Sequence, residues 1–348
     1  MSYRAKSIFT DGTSTAFPFS LDTAPSVFGG EVHLASASGE TVMRVESDDG
    51  FGEMRFTEVL PGITVSFNDF HMGRCISSFS TESDVLCIDW CREGRIEQPV
   101  PGGSYAYVSS GDLKVDDRAS HTGEFVFPRV GTEGLPFSFD LSFAPDSIRR
   151  RFPGFAVDLF EVKRRFCKEG RPFFLHANNQ ASHIAAELYL APVKVRKAYC
   201  QIKSLELLLF LDSLEPDLLV EGTEYYPRSK VARVKEAHDL MVSNLSESIT
   251  VEQAAKGAGM SLTAFKQCFR GVYGSSPAAY VRTVRMELAA KMLRETDANV
   301  SEIGAQVGYE SLPSSLSHSK GLAALRPAST GGVNNTFCPI GTLPSERS

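Results

Sequence analysis

The sequence predicts an α+β protein: a β-rich, sandwich- or barrel-like N-terminal region with trailing helices, then a wholly helical C-terminal region. Three observations carry this. Between residues 30 and 143, apolar residues alternate with polar or small ones, the period-2 mark of half-buried strands. After Pro145 the apolar spacing lengthens to that of helices. From Ser229 onward, short helical stretches are separated by turns rich in Gly.

In the first region, Val32-His33-Leu34, Glu53-Met54-Arg55-Phe56-Thr57, Ile63-Thr64-Val65-Ser66-Phe67 and Tyr105-Ala106-Tyr107-Val108 read as strands. Phe137-Ser138-Phe139-Asp140-Leu141-Ser142-Phe143 is the cleanest run and puts Phe137, Phe139, Leu141 and Phe143 on one face. Turn signals separate the runs: Asp48-Asp49-Gly50, Leu60-Pro61-Gly62, Pro101-Gly102-Gly103 and Ser110-Gly111-Asp112. Short strands at this spacing suggest a small sandwich or barrel. The seven cysteines are odd in number and irregularly spaced, which argues against a disulfide framework. Cys87 and Cys91 share a strand face and read as buried thiols.

Helices are expected over 157–168, with Leu159, Val162 and Phe166 inward, then over 180–190, and over 193–214 after Pro192. The stripe Val195, Ala198, Ile202, Leu205, Leu208 and Leu209 on the third serves either core packing or a helix-to-helix dimer contact. Residues 216–228, acidic and carrying Pro216 and Pro227, read as an interdomain linker or docking segment.

The C-terminal region opens with a helix over 229–243. Thr250 stands at an N-cap with Gln253 three residues later, a capping box. A short helix over 251–256 follows, then the turn Gly257-Ala258-Gly259. Ser261 caps a further helix over 262–272. Helix, Gly-containing turn and capped second helix make a helix-turn-helix. The second helix turns Leu262, Phe265, Cys268 and Phe269 to one side and Thr263, Ala264, Lys266, Gln267 and Arg270 to the other. That outer face suits a major groove: Lys and Arg match guanine O6/N7 and phosphates, and Gln matches adenine. A plain solvated face is the alternative.

Val251-Glu252-Gln253-Ala254-Ala255, Gly259-Met260-Ser261, then Phe265, Phe269, Tyr273-Gly274, Pro277, Tyr280, Arg285, Ala289 and Leu293 form a long, ordered signature. It resembles that of the AraC/XylS (arabinose-operon regulator) family of bacterial transcription factors. The resemblance implies a DNA-binding domain of two helix-turn-helix motifs joined by one long helix, here 277–294, with a recognition helix in each motif. Ser261, Thr263, Ala264, Lys266, Gln267, Arg270, Arg282, Arg285 and Ser311 are the expected DNA-binding positions. Val281, Val284, Leu288 and Leu293 are expected to face inward on the linking helix. Asn299 to Ser311 matches the first helix and turn of the second motif, with Ile303 and Val307 inward and Gly304 where the family has Ala.

Past Ser311 the pattern departs. Where the family carries two Phe four apart in the second recognition helix, this chain offers Leu316 and Lys320, followed by Gly321. Residues 312–348 are therefore expected to be a degenerate recognition helix and a disordered tail. A reading-frame change near Ser311 or a degenerate C-terminus accounts for the abruptness. The expected domains are 1–215 for effector binding and dimerisation, 216–228 as linker, 229–311 for DNA, and 312–348 as tail.

The resemblance further implies double-stranded promoter or operator DNA as partner, a small-molecule effector sensed by the N-terminal half, homodimerisation, and RNA polymerase as a candidate contact. Asp89-Trp90-Cys91-Arg92-Glu93-Gly94-Arg95-Ile96-Glu97 looks like the subgroup that responds to siderophores of the pyochelin type. His71, Trp90, Arg92 and Arg95 are the candidate effector residues, with surface charge as the alternative. The aromatics Phe67, Phe70, Trp90, Tyr105, Tyr107, Phe125, Phe127, Phe137 and Phe139 serve a core or a pocket. No Gly-rich phosphate loop, HExxH pair or nucleophile elbow occurs, so neither enzyme nor cofactor is expected. A cupin-like metal enzyme, or a ligand-binding dimer with impaired DNA binding, are the competing readings.

Bulk charge fits such a division of labour. The net charge of the 348-residue chain is −6, which argues against a protein coated in nucleic acid but not against a local face. Residues 228–310 hold eleven Lys+Arg and nine Asp+Glu, so the acidic excess lies elsewhere. No run approaches the ~18 apolar residues of a membrane span, and Met1 to Lys6 is not followed by an apolar signal-peptide core. A cytoplasmic location is expected.

Overall fold

The computed structural model describes residues 31–37, 40–80, 84–117, 120–128, 131–216, 223–246 and 249–309. Thirteen strands are described: β1 (Glu31–Ala37), β2 (Glu40–Ser47), β3 (Gly50–Leu60), β4 (Ile63–Met72), β5 (Arg74–Ser80), β6 (Val85–Glu93), β7 (Arg95–Val100), β8 (Ser104–Ser109), β9 (Leu113–Asp117), β10 (Ser120–Val126), β11 (Thr132–Asp140), β12 (Phe173–Leu175) and β13 (Tyr226–Pro227). They form an eight-stranded sheet, β1-β2-β3-β4-β11-β6-β9-β12, and a five-stranded sheet, β13-β8-β7-β10-β5. The described pairings are antiparallel. Ser47 pairs with Gly50 across Asp48-Asp49, so the predicted turn closes a two-residue hairpin.

Nine α-helices are described: α1 (Ala144–Arg151), α2 (Leu159–Phe166), α3 (Asn179–Leu190), α4 (Val193–Asp212), α5 (Arg228–Ser243), α6 (Val251–Gly257), α7 (Leu262–Tyr273), α8 (Pro277–Glu295) and α9 (Val300–Gln306). The first four pack on one face of the large sheet. Ile63, Leu86, Ile88, Phe137 and Phe139 from the strands meet Ile148, Val162, Ile184, Leu188 and Leu208 from the helices in one core. Removal of such side chains from water supplies about 25 cal/mol per Å². Strand side chains pointing the other way join two smaller clusters: Met43, Val45, Met54, Met72, Cys75 and Phe127, and Cys91, Val100, Ala106, Val108 and Phe174. Both draw on strands of the two sheets.

β6 is buried on both faces. Leu86, Ile88 and Trp90 face the helices, while Cys91 belongs with the smaller sheet. Its polar members are neutralised locally. The Lys114 ammonium, 5 % exposed, lies 3.0 Å from Asp89, 2.7 Å from Asp116 and 3.1 Å from the Gln98 amide oxygen. A buried ammonium is tolerated only with such partners.

Three sequence expectations are corrected. Phe143 does not share the face of Phe137 and Phe139: β11 ends at Asp140, and Phe143 caps α1 with 46 % of its surface exposed. The stripe on α4 divides, with Leu205 and Leu208 buried and Val195, Ile202 and Leu209 exposed. Leu288 on α8 is exposed rather than inward. Within the segment read as a linker or docking segment, β13 pairs Tyr226 with Tyr105 and Pro227 with Ser104.

The described residues divide into two compact units, those up to 240 with 250–280, and 241–249 with those from 281 to 309. The first unit therefore holds the β-rich half together with α6, α7 and most of α5. The second holds α9 and most of α8, around Ala289, Ile303 and Val307.

Candidate nucleic-acid interface

The first helix-turn-helix is assembled from local signals. The Thr250 hydroxyl accepts from the Gln253 amide at 3.1 Å, and the Gln253 side chain accepts from the Thr250 amide at 2.8 Å. This satisfies two of the four orphan donors at the start of α6. The turn is closed by Ala258 N–H to the Ala254 carbonyl (2.9 Å) and Met260 N–H to the Ala255 carbonyl (3.0 Å). Arg233 of α5 reaches the same turn and donates to the carbonyls of Ala258 (3.3 Å) and Gly259 (3.4 Å). Sequence reasoning missed Arg233, because nothing local ties it to a turn 25 residues away. The Ser261 hydroxyl then accepts from Ala264 N–H at 3.3 Å and starts α7.

α7 is two-faced as expected. Phe265, Cys268, Phe269 and Val272 are buried. Thr263, Lys266, Gln267 and Arg270 are exposed, Ser261 is exposed at the cap, and Ala264 is half-buried. Behind this face lies an aromatic cluster. Phe269 lies 4.6 Å from Tyr273 and 5.8 Å from Tyr280, ring to ring, and His238 of α5 stacks on Tyr273 at 4.2 Å. Burial lowers the His238 pKa below its ordinary value, against the smaller upward pull of Asp239. Burial likewise raises the Cys268 thiol to about 11, so it stays a neutral packing group.

In the second unit, Asn299 and Glu302 repeat the capping box at 3.0 and 2.9 Å, and Ile303 and Val307 are buried as predicted. Arg282 is exposed on α8. Arg285 is instead engaged internally, donating to the Leu245 carbonyl at 2.9 Å and lying 5.7 Å over the Tyr309 ring. Ser311, Leu316 and Lys320 lie outside the described residues.

Of the four candidate effector residues, Trp90 and Arg92 meet at the Tyr189 ring, while His71 and Arg95 engage other partners. His71 is exposed on β4, 2.9 Å from Asp69. Trp90 is a core residue, 5 % exposed, whose indole N–H donates to Ser182 at 3.3 Å. Arg92 pairs with Glu133 and stacks over Tyr189 at 4.3 Å. Arg95 turns away from these three: it donates to Ser109 and to the Gly271 carbonyl of α7. Among the described residues, no cluster of three His, Cys, Asp or Glu could hold a metal ion, and no helix is long and apolar enough to cross a membrane.

Comparison with known proteins agrees with this geometry. Residues 254–329 match a family model described as a helix-turn-helix domain. The matched span includes α7 and α9 and continues beyond residue 311. The class defined by these helices is thus a helix-turn-helix DNA-binding domain. That domain type agrees with the resemblance of residues 251–293 to the AraC/XylS family of transcription regulators. The lactose operon transcription activator of Staphylococcus xylosus is 32% identical over 77 residues, 22% of this chain and 28% of that protein. This match therefore spans little more than a quarter of that relative's length. An uncharacterized HTH-type transcriptional regulator of Haemophilus influenzae is 23% identical over 292 residues, 80% of this chain and 89% of that protein. Among solved structures, the AraC-like transcriptional activator CuxR is similar at 13% identity and a TM-score of 0.33, over 78% of this chain and 89% of that one.

Proposed function

We propose that the chain is a sequence-specific, DNA-binding transcriptional regulator that acts in the cytoplasm and responds to a small-molecule effector through its N-terminal half. The exposed Thr263, Lys266, Gln267 and Arg270 face of α7, backed by a fully buried Phe265–Phe269 side, carries the reading. A capped helix with a rigid back and a polar, cationic front is what major-groove recognition requires. The N-terminal sheets, with His71 on β4 and Trp90 and Arg92 on β6, two strands that flank β11, are the proposed sensing body.

The same reading includes a homodimer. Val195, Tyr199, Ile202 and Leu209 are exposed along α4 at spacings of four, three and seven, a seam of heptad character. Lys194 and Lys197 lie at one end of this helix, and Glu206 and Asp212 at the other. An antiparallel second copy would set opposite charges together. Ile202→Glu is expected to convert dimer to monomer in sedimentation equilibrium, and a wild-type monomer at all concentrations would end the dimer reading.

The DNA reading is tested by enriching duplexes from a random pool with the wild-type chain. Lys266→Ala and Gln267→Ala should each weaken binding by about 1–3 kcal/mol and relax preference at one base pair. Unchanged preference in both variants would remove α7 as the reading helix. Binding that is salt-dependent but without sequence preference would leave the ligand-binding dimer as the better reading.

A further inference from the structure

One strand of the smaller sheet touches both helices that frame the first motif. Arg95 and Glu97 are two apart on β7 and so project to the same side. Arg95 donates to the Gly271 carbonyl in the last turn of α7 and also to Ser109 of β8. Helix C-termini leave carbonyls without intrahelical donors and carry partial negative charge, so a guanidinium there is doubly favourable. Glu97, 2 % exposed, is bound by Lys235 of α5 at 2.7 Å and by the Tyr107 hydroxyl at 2.7 Å. The carboxylate raises the Tyr107 pKa, after burial itself, so the phenol remains a donor.

Gly271 supplies a second, independent observation. It sits inside α7, where Gly is a poor helix former. A Cβ at this position would collide with the ring of Tyr226, which is held in β13. The residue is small because the sheet approaches the back of the helix here. Tyr226 in turn lies 5.7 Å from Tyr107, so both contact points share one ring pair.

We propose that β7 is a two-point latch on the first helix-turn-helix, and that Arg95, Glu97, Lys235 and Gly271 are positioning residues for DNA recognition by α7. The inference rests on α7 being the reading helix. It reassigns Arg95 from effector contact to transmission: a displacement of β7 shifts α5 and α7 together, while the exposed reading face stays uncovered. The latch therefore tunes how the helix is presented and does not block it.

The test uses the full chain and a duplex enriched by the wild type from a random pool. Glu97→Lys and Lys235→Glu should each weaken binding about tenfold, within the range typical of couplings between sites. The double variant, with the charges exchanged, should return affinity to within about threefold of wild type. The salt slope should be the same in all of them, because Lys235 contacts a carboxylate and not a phosphate. Gly271→Ala should weaken binding despite improving helix propensity. Hydrogen exchange across residues 262–273 should be faster in the single variants and restored in the double. Wild-type affinity and exchange in the single variants would overturn the latch. So would a reduced salt slope in Lys235→Glu without rescue, which would make Lys235 a DNA contact. If the wild type enriches no duplex, the DNA reading fails, and the exchange measurement still decides whether the latch exists.

Discussion

The two helix-turn-helix segments start alike and are supported differently. α6 and α9 both begin with a reciprocal capping box, Thr250 with Gln253 and Asn299 with Glu302. Both are followed by a Gly with positive φ, +61° at Gly259 and +86° at Gly308. Their backing differs. The first packs on a run of large rings, Phe265, Phe269, Tyr273, His238 and Tyr280. The second has the small cluster of Ala289, Ile303 and Val307, with Met292, Leu293 and Ala298 partly buried around it. Local hydrogen bonding can begin a motif, but stability depends on how much apolar surface the rest of the unit offers.

The sharpest way to break the comparison is to empty each core. Phe269→Ala should cost about 4 kcal/mol and Ile303→Ala about 2 kcal/mol in denaturant unfolding followed by a motif-specific probe. Equal losses would show that the second core is as well packed as the first.

The two turn glycines come next. At Gly308 an added Cβ meets the Leu245 carbonyl oxygen and the Arg285 guanidinium, whereas at Gly259 only Arg233 is near, at 3.6 Å. Both substitutions force a side chain into the left-handed region. Gly308→Ala should therefore cost about 3 kcal/mol and Gly259→Ala about 1 kcal/mol. Thermal melts of the two variants would show the difference, and a reversed order would contradict it.

The caps should behave as equals. Thr250→Ala and Asn299→Ala each remove one side-chain acceptor and should cost about 1 kcal/mol. Amide exchange at Gln253 and Glu302 measures each locally.

The smallest effect is in pH. His238 has its folded pKa lowered by burial, so its contribution to stability is complete above the ordinary value of 6.5. It is lost as the pH falls from there through the lowered folded value, because the unfolded chain takes up the proton first. His176 has the opposite sign. Its hydrogen bond to Asp112, 3.1 Å, raises its pKa, so its contribution is present below 6.5 and is lost as the pH rises through the raised folded value. His238→Phe keeps the stack and should flatten the acid-side fall in the urea midpoint of the first unit. An unchanged slope would assign that fall to other groups.

Much of the helical region was legible because its signals are local. Thr250, Ser261 and Asn299 announce helix starts within three residues, and the Phe265, Cys268 and Phe269 spacing marks one buried face. The β region was legible where one face is buried, as at Phe137 and Phe139. It was opaque at β6, where Val85-Leu86-Cys87-Ile88 has no alternation because both faces are covered. Of the candidate sites, the outer face of α7 could be read from its period alone. The reassignment of Arg95 could not, since its partner Gly271 lies 176 residues away.

The sequence by itself determined where elements begin, which way α6, α7 and α9 turn their apolar sides, and the chemistry displayed on α7. Tertiary structure alone decided that Phe143 and Leu288 face outward, that the α4 stripe splits into a packed and an exposed half, and that 226–227 is a strand. It also decided that Arg95 and Glu97 serve the helix-turn-helix from across the chain. The physical reason is range. Caps and periodicity act over one or two turns of backbone, whereas burial of a side chain depends on the distant segments that cover it.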